Sequence, residues 1–112
     1  MSVEGVWKAE ILGLDGWEPV GTAFVRNDRY LAASADHYST GSYKVNGESI
    51  VLEIRTIQHG KIRALFGKKK QRFDLRIEGT IENADSIVGR AKSSEGETFD
   101  YSFRMIRVGE LD

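Results

Sequence analysis

The residues best suited to chemistry occur together near the middle of the chain, where Ser34, Asp36 and His37 lie within one short stretch. A serine, an acid and a histidine are the residue types of a hydrolase triad, in which the histidine takes the serine proton. No Gly-x-Ser-x-Gly turn surrounds Ser34, and a triad is defined by a geometry that this spacing does not fix. We therefore interpret the three residues as polar turn residues at the start of a strand, and we predict no catalytic residues.

Metal and redox chemistry find little support in the composition. His37 and His59 are the two histidines of the chain, and their spacing matches no standard zinc pattern. The chain has no cysteine, so it has neither a thiolate nucleophile nor a disulfide. The turn at residues 13–16 precedes a strand rather than a helix N-terminus, and so lacks the amide cradle that binds phosphate. We predict no metal and no cofactor.

A basic segment follows the middle of the chain, and Asp74 is the only acid we expect to oppose it. An exposed cluster of this sign suits phosphate backbones or the steering of an acidic protein partner. The net charge of the whole chain is −1, and no exposed pair of aromatic residues is predicted to stack on bases. Nucleic acid is therefore disfavoured as a partner. The basic residues are Lys61, Arg63, Lys68, Lys69, Lys70, Arg72 and Arg76.

Length and composition favour one globular domain over residues 1–112. Hydrophobic residues make up 40% of the chain and charged residues 29%, which is ordinary for such a domain. No segment is long and apolar enough to cross a bilayer. Residues 1–5 lack the basic start and apolar run of a signal peptide. We therefore expect no membrane partner and a cytoplasmic location.

Apolar and polar residues alternate between short turns, which indicates strands with one dry face and one wet face. The clearest run is 72–82, in which Phe73, Leu75 and Ile77 alternate with charged residues. Asn46-Gly47 is a strong hairpin signal because both residues tolerate positive φ. Eight strands are predicted, at about residues 3–13, 17–26, 29–33, 38–46, 48–58, 71–83, 86–93 and 97–108.

Short connections make neighbouring strands antiparallel, so the chain order predicts an up-and-down meander. Closure of eight strands removes both sheet edges and needs no long crossover. The last strand then pairs with the first and brings the Arg107 guanidinium over the Trp7 ring at the barrel floor. We therefore predict an all-β fold, a closed eight-stranded antiparallel up-and-down barrel.

Large inward-facing residues occupy the predicted interior. An eight-stranded barrel is either filled by its own side chains or wide enough for one small ligand, and the sequence leaves both alternatives open. The connection over residues 59–70 is too long for a hairpin, and its apolar residues form either a lid over one mouth or a loop packed on the rim. The predicted cavity residues are Trp7, Tyr43, Leu52, Ile54, Phe73, Leu75, Ile77, Phe99, Tyr101 and Phe103, and the predicted lid or plug residues are Ile62, Leu65 and Phe66.

Three apolar residues, Val6, Val88 and Ile106, point outward by the same alternation. They belong to the first, seventh and eighth strands, which adjoin in a closed barrel. A small outward apolar patch on neighbouring strands is typical of an interface. We therefore predict a symmetric homodimer over this face.

Four segments together resemble the GrlR-like family, small proteins related to a negative regulator of bacterial type III secretion. They are Gly5–Trp7, Gly21–Val25, Asp36–Val45 with its Tyr-x-x-Gly-x-Tyr element, and Leu65–Gly67. The resemblance covers about residues 3–108. It implies a calycin- or lipocalin-like barrel with an apolar cavity, a homodimer, and regulation by binding a transcriptional activator. The founding regulator has an acidic loop between its fourth and fifth strands, where this chain has Asn46–Ser49 with one acid.

Two functions remain in competition. The first is a non-enzymatic regulatory module that binds a protein partner, such as a transcriptional regulator. The alternative is a carrier or sensor of a small apolar ligand held inside the barrel, which requires a void of about 300 Å³ or more. An enzyme is disfavoured because no nucleophile, base and orienting group can be named together.

Overall fold

The turns and alternation in the sequence produce strands along almost the whole chain. The computed structural model describes residues 2–13, 16–62, 70–94 and 100–111, which form eight strands. These residues include no helix that could cross a membrane. The strands are β1 (Gly5–Gly13), β2 (Gly16–Arg26), β3 (Arg29–Ala33), β4 (His37–Asn46), β5 (Ser49–Gln58), β6 (Arg72–Asn83), β7 (Ser86–Ser93) and β8 (Asp100–Gly109).

The predicted strands are all present, with small shifts at their starts. The predicted C-terminal ends agree for β1 to β7, because turn residues mark where each strand stops. The starts of β2, β4, β5 and β6 shift by one residue, and β1 begins at Gly5 rather than at residue 3. The predicted start of the last strand, at residue 97, lies outside the described residues.

The eight strands close into a barrel in chain order. Closure is made by β1 and β8, which pair antiparallel with Trp7 opposite Arg107. The guanidinium carbon of Arg107 lies 4.5 Å from the centre of a Trp7 ring. The closed antiparallel up-and-down barrel and the Trp7–Arg107 stack are therefore both confirmed.

The β2–β3 hairpin fixes which side chains of the two strands lie beside each other. Asn27 and Asp28 adopt φ angles of 53° and 63°, as a two-residue hairpin turn requires. The hairpin pairs Phe24 with Leu31. Because alternate residues face opposite sides of a strand, these two side chains lie side by side on the outside of the barrel.

Apolar side chains fill the interior, and glycines let two of its strands approach closely. Gly79 and Gly89 face each other across β6 and β7. A Cβ atom on Gly89 would lie 2.7 Å from the Gly79 Cα atom, closer than real Cβ contacts. The large core residues that are almost completely buried include Trp7, Phe73, Ile50, Leu52, Ile77, Ile87 and Met105.

Candidate functional site

The Ser34, Asp36 and His37 side chains are close in sequence but are not arranged as a triad. His37 is buried, with Nδ1 2.7 Å from Ser34 Oγ and Nε2 2.6 Å from the Val20 carbonyl oxygen. Because a carbonyl only accepts, Nε2–H donates to the Val20 carbonyl oxygen, and Nδ1 forms the second hydrogen bond with the Ser34 hydroxyl. The Asp36 carboxylate instead accepts from the Lys61 backbone N–H at 3.2 Å. The three residues thus link the turn before β4 to β2 and to the segment after β5.

The second histidine has a different environment. His59 is exposed and stacks on Tyr38, with ring centres 6.0 Å apart. Among the described residues, no group of three or more histidine, cysteine, aspartate or glutamate side chains is placed to hold a metal ion.

A small cavity lies inside the barrel. Its volume is about 30 Å³, which accommodates one or two water molecules at about 10–15 Å³ each. Sites for small organic ligands usually measure about 300 Å³ or more. The volume of this cavity therefore weighs against a carrier of small apolar ligands.

The predicted cavity residues divide into several groups. Those that line this cavity are Ile54, Leu75, Ile77 and Phe103. Those buried in the core without lining it are Trp7, Tyr43, Leu52 and Phe73. Tyr101 is partly buried and packs against the core. Phe99 and the predicted lid residues Leu65 and Phe66 lie outside the described residues, while Ile62 is half-buried.

Polar side chains on one side of the cavity were not anticipated from the sequence. Ser39 and Thr56 face inward on β4 and β5, with their hydroxyl oxygens 2.7 Å apart. Tyr30 also lines the cavity and is 2% exposed. Burial raises the pKa of the Tyr30 hydroxyl because the ionised form would lose its hydration.

Tyr30→Phe should reduce the loss of stability at alkaline pH. The pKa of Tyr30 is higher in the folded state than its unfolded value of about 10. The stabilisation is therefore complete below about pH 10 and is lost as the pH rises further, by at most about 1.4 kcal/mol per pH unit. We expect a shallower fall in the free energy of unfolding above about pH 10 in Tyr30→Phe, measured by urea denaturation. Tyr38→Phe, at an exposed position, is the control, and equal slopes for wild type and Tyr30→Phe would contradict the expectation.

The outer surface of β5, β6 and β7 is covered by ion pairs. Asp74 accepts from Arg55 at 3.0 Å and from Arg72 at 2.8 Å. Glu78 pairs with Arg76 at 3.0 Å and with Lys92 at 3.2 Å. The hydrogen bond from Arg76 lowers the pKa of Glu78 below its usual value. Each of these basic side chains therefore contacts a carboxylate of the same wall.

The ion pairs change the interpretation of the predicted basic segment. Arg76 is bound by Glu53 as well as by Glu78, so the expectation that Asp74 is the only opposing acid is wrong. The reason is that Glu53 reaches Arg76 across the β5–β6 ladder, which pairs residues distant in sequence. The predicted members Arg63, Lys68 and Lys69 lie outside the described residues, and Lys70 lies over the Phe73 ring.

The outer surface of β8, β1, β2 and β3 is different, because apolar side chains are exposed across these four adjoining strands. Val6 pairs with Phe24, and Phe24 pairs with Leu31. Val108 lies at the irregularity where β8 shifts register beside Val6. Phe24, Leu31 and Val108 are 44%, 47% and 59% exposed. We call these four residues the outer apolar band.

The predicted dimer face only partly coincides with this band. Val6 and Val88 are half-buried, and Ile106 is 37% exposed. The three residues lie on the adjoining strands β1, β7 and β8, and Val6 belongs to both surfaces. The homodimer stays a prediction.

Sequence reasoning missed Phe24 and Leu31 as exposed apolar residues. Phe24 lies between Ala23 and Val25, so all three residues are apolar and alternation alone does not show which face is buried. The structure shows that Ala23 and Val25 are buried and that Phe24 faces outward.

Comparison with protein-family models and with curated proteins finds no match to this chain. The resemblance to the GrlR-like family therefore stays a prediction.

Proposed function

We propose that this chain is a non-enzymatic regulatory module, GrlR-like, that binds a protein partner on its outer wall. The main support is the outer apolar band, where Phe24 on β2, Leu31 on β3 and Val108 on β8 are each more than two-fifths exposed, with the half-buried Val6 on β1 between them. A contiguous exposed apolar surface is typical of a protein-protein contact. The interior cavity of about 30 Å³ gives less support to a ligand carrier.

The mechanism is occupancy. A closed barrel offers no free strand edge, so a partner cannot extend the sheet and must pack on side chains of the outer wall. The hydrogen-bonded strands hold the band in place before binding, which limits the ordering cost of association. If the partner is a transcriptional regulator in the cytoplasm, the segment of that regulator covered by the barrel cannot bind its other partners.

A homodimer is part of the same proposal. Ile106 is exposed on β8, and Val88 lies on the neighbouring strand β7. A symmetric contact centred on these two residues, with Val6 at its edge, would leave Leu31, three strands from β8, accessible to a partner.

The test is a comparison of what the wild type and a band variant recover from a source lysate. The Phe24→Ser, Leu31→Ser double variant changes only exposed positions, so we expect it to fold. We expect at least one protein to be depleted about tenfold in the double variant, a loss of about 1.4 kcal/mol. Val51→Ser, a half-buried outer position on β5, is the control and should retain that protein.

Two results would contradict the proposal. One is recovery of the same proteins in the same amounts by the wild type and the double variant. The other is a small molecule that remains bound inside the barrel in native mass spectrometry, which would favour the carrier.

A further inference from the structure

Two arginines face each other beside the outer apolar band. The β2–β3 register pairs Arg26 with Arg29, two residues along the same outer face from the Phe24–Leu31 pair. Like charges directly opposite each other destabilise a sheet. Both arginines are exposed, and neither forms an ion pair within the part of the chain that the structure describes.

The ion-paired wall of β5 to β7 shows that this arrangement is unusual for the molecule. There, Arg55, Arg72 and Arg76 each contact a carboxylate on their own or a neighbouring strand. The stretch from residue 22 to residue 44, which includes β3, contains two acids, Asp28 and Asp36, and both lie in turns. Unlike those arginines, Arg26 and Arg29 form no ion pair among the described residues, and they lie beside an exposed apolar surface, an arrangement that suits an anionic group supplied by a partner.

We propose that Phe24, Leu31, Arg26 and Arg29 form a docking site for an acidic amphipathic segment of a partner protein. This inference rests on the proposed function and names the chemistry of its partner. The planar guanidinium groups bind carboxylates through paired hydrogen bonds, while apolar side chains of the segment pack on the band.

The dimensions of the band favour a helical segment. Adjoining strands lie about 4.8 Å apart, so four strands span about 14 Å. A helix rises 1.5 Å per residue and covers that distance in about ten residues. Apolar residues at i, i+4 and i+7 span about 10.5 Å along such a helix and so cover most of the width of the band, and acidic residues beside them reach the arginines.

A second copy of the chain is a poor occupant of this site. A symmetric contact would place the same surface on both sides and bring two arginine pairs together without an acid between them. Two acids lie near the arginine pair: Asp28 is in the turn between the two arginines, and Glu4 borders a groove with Arg26 and accepts a hydrogen bond from the Asn27 backbone N–H at 2.9 Å. Because Glu4 lies beside Arg26, Arg29 is the better of the two arginines for a charge-reversal test.

The experiment measures binding of two labelled synthetic peptides to the purified protein by fluorescence anisotropy. Both peptides carry leucines at i, i+4 and i+7, one with glutamates and the other with lysines at the remaining helix positions. We expect the glutamate peptide to bind about tenfold more tightly, a difference of about 1.4 kcal/mol. Its affinity should fall as salt is raised, because exposed charges are screened.

Variants separate the apolar and the charged parts of the site. Phe24→Ser should weaken binding of both peptides, whereas Arg29→Glu should remove the preference for the glutamate peptide. Arg90→Glu makes the same charge change on the far wall, at a residue that pairs with Asp100. This control should leave the preference unchanged.

Several outcomes would overturn the inference. They are equal affinity for the two peptides, no binding of either peptide, an Arg29→Glu effect no larger than that of Arg90→Glu, and a wild-type dimer that Phe24→Ser converts to monomer. Binding to phosphatidylserine vesicles that is lost in Arg29→Glu would assign the site to a lipid surface instead. If the peptides fail but lysate recovery still depends on Phe24 and Leu31, only the acidic chemistry fails and the proposed function stands.

Discussion

Arg107→Ala is expected to lower the free energy of unfolding by about 3 kcal/mol. The guanidinium stacks on the buried Trp7 ring and donates to backbone carbonyls of Ser2, Glu4 and Ala84. Truncation removes the stack and leaves these carbonyls without their charged donor. The variant therefore loosens the seam between β1 and β8 and the segment before β1 together.

Urea denaturation followed by circular dichroism measures this effect. Arg107→Lys keeps the charge but loses the planar fork, so we expect an intermediate loss of stability. Arg90→Ala is the matched control, because Arg90 is half-exposed and pairs with the exposed Asp100. An exposed pair of this kind contributes about 1 kcal/mol or less. A loss in Arg107→Ala no greater than in Arg90→Ala would show that the stack does not secure the seam.

Gly89→Ala is expected to be comparably destabilising, by about 3 kcal/mol. A Cβ atom at this position would lie 2.7 Å from the Gly79 Cα atom and 3.0 Å from the Glu78 carbonyl carbon. Both contacts are with backbone, which cannot rotate away as a flexible side chain does. The β6 and β7 strands would have to separate and lose ladder hydrogen bonds.

Gly47→Ala is the matched control for this substitution. Gly47 has a φ of 64°, and a Cβ atom there would meet nothing within 4 Å. We therefore expect only the cost of a left-handed alanine, about 1 kcal/mol. A denaturation midpoint for Gly89→Ala that equals that of Gly47→Ala would show that the close approach of β6 and β7 is not required.

Most of the fold could be predicted because strands and turns depend on residues that are close together in the sequence. Strand ends follow turn residues such as Asn27 and Asp28, whose tolerance of positive φ is an intrinsic property. The closure of the barrel could also be predicted, since strict alternation places Trp7 and Arg107 on the inner side of the first and last strands.

Features that depend on register or packing could not be predicted in the same way. The Arg76–Glu53 pair requires knowledge of which residues face each other across β5 and β6. The cavity of about 30 Å³ is the small difference between the volume enclosed by the barrel and the volume of the side chains that fill it. The inward Ser39–Thr56 hydrogen bond forms between two strands, so neither residue signals it alone.

The seam between β1 and β8 also shapes how this protein folds. Each other strand pair joins neighbours in sequence, whereas the seam joins the first strand to the last. Loop-closure entropy opposes contacts between distant segments, so the hairpins form early and the seam forms late. Until then β1 and β8 are unpaired edges that can pair with another chain. The speed of this final step therefore sets the concentration above which refolding competes with strand exchange and aggregation.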